Sequence, residues 1–241
     1  MDQNASDPGA VISGTWGQVF ITPLKAALKA AKINIVPGLL LQGFALGLVL
    51  LYYFHAPSRP AFEVLSALKI KYGYVYSMIS TALFGGLLPF LFLRMQKKTR
   101  YLAAFRHVPF LLLFWAAKGV EVDVLYRLQA FLFGTEVKWN VVLPKICVDQ
   151  FVYMTIWGGP TMLLGLYWKD HDYSFKALKG ILNRRCYPDR IFPVIVSNWG
   201  VWIPAVAFIY CLPLPLQLPI ENIVLCFWVM ILTLLLTPVA E

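Results

Sequence analysis

VPFLLLFWAAKGVEVDVLYRLQAFLF, from Val108 to Phe133, decides how this chain is read. It is long enough to cross about 30 Å of hydrocarbon, which takes roughly 20 apolar residues. Yet it holds Lys118, Glu121, Asp123 and Arg127. If it crosses, four ionisable groups lie inside a membrane. If it does not, everything after it changes sides. The rest of the chain argues for a membrane protein. Of 241 residues, 59% are hydrophobic and 14% charged, with a mean hydropathy of +0.67. Soluble domains carry about 25% charged residues. No polar stretch is long enough to bury a soluble core of its own. The expected fold is all-α: one transmembrane helix bundle over residues 33–238, after an N-terminal segment of residues 1–32.

Six apolar runs divide the bundle: Ile33 to Phe54, Tyr74 to Leu93, Val108 to Phe133, Val141 to Trp168, Ile191 to Cys211 and Ile220 to Thr237. The basic residues settle the third. They cluster at Lys25/Lys29/Lys32, at Arg94/Lys97/Lys98/Arg100/Arg106 and at Lys169/Lys176/Lys179/Arg184/Arg185/Arg190. The alternate connections hold only Arg59, Lys69, Lys71 and Lys138. If the third run spans, all three rich clusters share one side. The positive-inside rule thus predicts six spans with both termini inside. It also explains the net charge of +9 without nucleic acid: the basic loops meet anionic lipid head groups. Thr22-Pro23 is a helix start. Lys25, Lys29 and Lys32 share one stripe, so a short interfacial helix is expected there, with a solvated basic linker as the alternative. Met1 to Gly14 has no Arg and no signal-peptide pattern, so the first apolar run is expected to remain in the mature protein.

At about 1.5 Å per residue, Lys118 lies roughly 15 Å into the third run, Asp149 roughly 12 Å into the fourth and Asn198 roughly 10 Å into the fifth. Glu121 and Asp123 follow just beyond Lys118. Three runs thus bring polar groups to one middle layer, where charges must face protein or water. Lys118/Glu121 are spaced i,i+3; Asp123/Arg127 and Lys145/Asp149 are spaced i,i+4. Each deep charge then has an opposite partner on its own helix. Structural ion pairs and a pore lining both fit that pattern. As a lining, balanced pairs would discriminate weakly by charge sign. Trp199 and Trp202 share a helix face, and Pro204 should bend the fifth run and free a carbonyl near Gly200. The pairs Gly85-Gly86 and Gly158-Gly159 read as sites of close helix contact.

Catalytic and metal chemistry has no footing. The three histidines, His55, His107 and His171, sit at run ends, and no zinc, phosphate-loop or nucleophile-elbow motif occurs. Cys147, Cys186, Cys211 and Cys226 show no paired spacing. Neither an enzyme nor a cofactor is expected.

The C-terminal third carries a resemblance. Tyr187-Pro188-Asp189, Asn198-Trp199-Gly200-Val201-Trp202-Ile203-Pro204-Ala205, Phe208-Ile209-Tyr210, Leu212-Pro213 and Asn222-Ile223-Val224 to Phe227-Trp228 resemble the signature of the Mpv-seventeen / 22-kilodalton peroxisomal membrane protein family. Lys145 to Gln150 is similar to that family's Asp-Gln helix. Ile203 separates Trp202 from Pro204, which are adjacent in typical members. The overlap covers about residues 74–237. The resemblance implies a multi-pass protein of a mitochondrial inner or peroxisomal membrane, with a bacterial inner membrane as the alternative. It implies a weakly selective channel for small solutes that affects membrane potential or redox balance. Lys118, Glu121, Asp123, Asp149, Asn198, Trp199 and Trp202 are the candidate pore lining, and Pro204 the bend. The rival reading is a non-catalytic assembly protein that organises membrane partners. Either allows a homo-oligomer.

Overall fold

The computed structural model describes residues 32, 34–96, 100–183 and 185–236. The interfacial helix expected around Thr22 to Lys32 lies outside them, its last residue apart. The described residues form helices and turns, with no strand among them. Seven helices are labelled in chain order. Helix α1 is Ile35–Phe54. Helix α2 joins Arg59–Thr81, Ala82–Leu87 and Leu88–Met95. Helix α3 is Val108–Phe133. Helix α4 joins Trp139–Cys147, Val148–Gly158 and Gly159–Asp170. Helix α5 is the short Phe175–Ile181. Helix α6 joins Tyr187–Ile191 to Phe192–Tyr210, and α7 is Leu214–Leu236. Helices α1, α2, α6 and α7 are long and apolar enough to cross a membrane.

The bounds of α3 follow from its ends. Pro109 sits in the first turn, where its missing N–H costs nothing. Gly134 ends the helix at φ 93°, a left-handed position that favours glycine, and its N–H reaches Ala130 O at 2.9 Å.

Helix α2 departs from expectation. It starts 15 residues before the apolar run that opens at Tyr74, with a break at Gly73 (φ 52°, ψ −122°). Arg59 to Tyr72 is therefore helix and not a loop. Its charged residues masked a helical face that ends in Lys69, which is only 4% exposed. Lys69 Nζ spans the break: it donates to Gly73 O at 3.2 Å and to Ser77 Oγ at 2.7 Å, and pairs with Asp123. Counting Lys69 as a loop cation is thereby corrected.

Close contact fixes the α2–α3 seam. A Cβ on Gly119 would lie 2.3 Å from Ser77 O, and one on Gly85 would lie 2.6 Å from the Trp115 ring. At Gly119 only glycine lets the two backbones approach, and at Gly85 only glycine leaves room for the indole. Helix α1 packs across α6 and α7. Leu41, Ala45, Val201, Ala205, Ile209 and Val224 are buried there, in one cluster with Leu212, Leu216, Leu218 and Ile220.

Three segments are wound as π-helix: Ala82–Leu87, Val148–Gly158 and Tyr187–Ile191. A π turn bonds i to i+5 and rotates the following side chains out of 3.6-residue register. The first two run into Pro89 and Pro160, which supply no N–H to the turn before them.

Candidate functional site: a cavity inside the bundle

A cavity of about 800 Å³ lies between α3, α4, α6 and α7. Trp115, Lys118, Val122 and Tyr126 line it from α3; Asp149, Gln150, Tyr153 and Met162 from α4. Asn198, Trp202 and Val206 line it from α6, and Glu221, Asn222, Leu225 and Trp228 from α7. At one end it reaches Asp170 and Arg190, both exposed. No residue of the opposite end enters the lining. There the chain buries Leu212, Leu216, Leu218 and Ile220, each 2% exposed or less. The cavity is thus a vestibule with one polar mouth and one packed end.

The long π segment of α4 shapes its wall. Gln150 O, inside that segment, accepts from Trp199 Nε1 at 2.9 Å and from Thr155 Oγ1 at 3.0 Å. Asn198 Nδ2 faces Gln150 Oε1 at 3.5 Å, the outer limit of a hydrogen bond. Asp149 is 6% exposed. It accepts from Tyr210 Oη at 2.5 Å and from Gln150 Nε2 at 2.8 Å.

The expected Lys145/Asp149 pair does not form. Lys145 Nζ instead sits over the Tyr210 ring, 5.8 Å from its centre. The reason is the π winding that begins at Val148: the i,i+4 rule assumes an α-helical register, which is lost between these two residues.

The other two pairs form. Lys118 Nζ contacts Glu121 at 2.8 and 3.1 Å and Thr161 Oγ1 at 2.6 Å, and Tyr153 Oη donates to Glu121 Oε1 at 2.5 Å. This knot ties α3 to α4. Arg127 Nε meets Asp123 Oδ1 at 3.1 Å. Asp123 also holds Lys69 and accepts from Ser77 Oγ at 2.8 Å.

Lys118, Asp149, Asn198 and Trp202 therefore line the cavity, and Glu121, Asp123 and Trp199 do not. Glu121 is turned to Lys118 and Tyr153, and Asp123 to the α2 seam. Trp199 packs edge-on against Phe151, with ring centres 5.0 Å apart. Pro204 lies inside α6. The carbonyl it leaves without an N–H, Gly200 O, accepts from Gln42 Nε2 at 3.0 Å, and Val201 O accepts from the same group at 3.2 Å.

Sequence reasoning missed Glu221, Asn222 and Thr81. Asn222 Oδ1 accepts from Thr81 Oγ1 at 3.0 Å, and its Nδ2 donates to Ser80 Oγ at 2.9 Å, tying α7 to α2. The signal for Glu221 was present: a carboxylate and an amide side by side in an apolar run.

The loops at the mouth end are joined. His107 Nδ1 lies 2.9 Å from Tyr173 Oη, and Arg106 pairs with Asp172 at 2.7 Å. Burial, with Lys169 and Arg106 nearby, holds the His107 imidazole below its ordinary range.

Comparison with protein-family models, curated proteins and solved structures finds no match to this chain. The fold is an all-α bundle compatible with an integral membrane protein, built around a largely apolar vestibule with a few polar groups and one open mouth. Among the described residues no group of His, Cys, Asp and Glu is placed to hold a metal ion.

Proposed function

We propose that this protein is a six-span membrane protein, termini inside, that gives small solutes a weakly selective path. The single observation that carries the reading is the vestibule of about 800 Å³, lined in the depth of the bundle by Lys118, Asp149, Asn198, Trp202 and Glu221. Intramembrane ionisable groups are costly and are found at solute or ion paths. A dry, packed interior would have favoured the assembly reading instead. The six-span count rests on the basic clusters, with α3 and α4 lining the same cavity as α6 and α7. The resemblance of Asn198–Ala205 to the Mpv-seventeen / 22-kilodalton peroxisomal membrane protein family supports the same function and an organelle membrane.

The vestibule closes at the Leu212–Ile220 end. A path that crosses the membrane must therefore open there by moving α6 against α7. The test is solute flux in liposomes. Purified protein should raise permeability above background, and Asp149→Asn and Lys118→Met should each alter it. Flux at background, unchanged by either substitution, refutes the reading.

A further inference from the structure

The vestibule is unbalanced in charge. Of its charged residues, Lys118 is held by Glu121 and Asp170 is paired with Lys169. Arg190 stands exposed at the mouth. Asp149 and Glu221 are left at the closed end. Neither has an ion-pair partner among the described residues. They lie close enough to repel each other, and the Tyr126 hydroxyl reaches Glu221. Lys145, the nearest candidate cation, is spent on the face of Tyr210.

Asp149 and Glu221 both line this one pocket, and Asp149 is only 6% exposed.

The walls above them are aromatic and apolar: Trp115, Tyr126, Tyr153, Trp202, Trp228 and Leu225. Carboxylates beneath aromatic faces attract an ammonium group, first by Coulomb attraction and then by the ring quadrupoles. The volume falls within the range of about 300–1,000 Å³ that holds a small organic ligand.

We propose that the closed end of the vestibule binds an organic cation, an ammonium group on an apolar body. The ammonium sits between Asp149 and Glu221, and the body lies against Trp202, Trp228 and Leu225. This names the solute class for the permeation reading above and rests on it. Binding is measured apart from flux, so either claim can fail alone.

The probes are three benzyl or phenyl compounds of similar size: benzyltrimethylammonium, neutral 2-phenylethanol and anionic phenylacetate. Each is titrated into the full-length protein in nanodiscs of zwitterionic lipid, read by tryptophan fluorescence and calorimetry. The cation should bind at least tenfold more tightly than the alcohol, and the anion should not bind. The variant with Asp149→Asn and Glu221→Gln should lose that preference while keeping its elution volume. Trp202→Phe should weaken the cation two- to fivefold. Equal binding of all three probes by the wild-type protein overturns the proposal, whether or not any variant folds. So does an unchanged preference in the double variant. Liposome flux of benzyltrimethylammonium then tests the path: binding without flux sinks the permeation reading and leaves the site standing.

Discussion

Two carboxylates, Asp123 and Asp149, are both buried on neighbouring helices and have opposite fates. Asp123 is saturated by Lys69, Arg127 and Ser77, and it serves the α2–α3 seam. Asp149 has two neutral donors, no cation, and a cavity beside it. Residue type does not separate them, since each has a basic residue four positions away on its own helix. Winding does. Helix α3 keeps α-helical register from Asp123 to Arg127, whereas α4 turns to π at Val148. One extra residue per turn removes Lys145 from Asp149 and turns the carboxylate to the vestibule. A structural ion pair and a buried acid that lines the vestibule differ here by the pitch of one helix.

The largest expected effect breaks the saturated side. Lys69→Met leaves Asp123 buried with only the half-exposed Arg127 and should cost about 3–5 kcal/mol, the usual loss when one partner of a buried pair is removed. Adding Asp123→Asn should recover most of it. Asp149→Asn, with no ion pair to lose, should change stability by less than about 1 kcal/mol while changing flux. Reversible unfolding in bicelles reads all three. Equal costs for Lys69→Met and Asp149→Asn would erase the distinction.

Gly119→Ala comes next. Its Cβ would meet Ser77 O and Thr81. Backbone is on one side, so α2 and α3 must part, at about 1–3 kcal/mol. A smaller effect belongs to the proline seam. Gln42→Ala removes the donor that serves Gly200 O and should cost about 1 kcal/mol. Pro204→Ala restores a competing N–H and should make that loss smaller. A double-mutant cycle with no coupling would separate Gln42 from Pro204.

The smallest effect is at the mouth. His107 is depressed in the folded protein, so the neutral ring favours folding. Its contribution is full above about pH 6.5, its ordinary value, and is lost as the pH falls below that. His107→Gln should flatten the pH dependence of thermal unfolding between about pH 5 and 7.

Much of this comparison was legible in the sequence. Apolar runs located the long helices, and α3 begins and ends where Pro109 and Gly134 dictate. Asn198 and Trp202 do turn inward, and Pro204 does free the Gly200 carbonyl. Three features were not legible, each for a physical reason. Arg59 to Tyr72 looked like a loop because Glu63, Lys69 and Lys71 interrupt its hydropathy, and burial of a paired lysine leaves no apolar trace. The π winding of α4 has no periodic signature, so i,i+4 arithmetic misplaced Lys145. Glu221 was overlooked because the last run, counted from Ile220, set it at a membrane edge; α7 starts at Leu214 and carries it two turns inward.

The central claim is that a solvent-reachable vestibule enters the bundle from one side only, past Arg190. Side-specific thiol labelling tests it most directly. On a background with Cys147, Cys186, Cys211 and Cys226 replaced, single cysteines at Asn198, Leu225 and Ser77 are exposed to a charged, membrane-impermeant methanethiosulfonate. Asn198→Cys and Leu225→Cys should react from the Asp170/Arg190 side and not from the other, and Ser77→Cys, sealed in the α2–α3 seam, from neither. Silence at Asn198 and Leu225 from both sides would contradict the account.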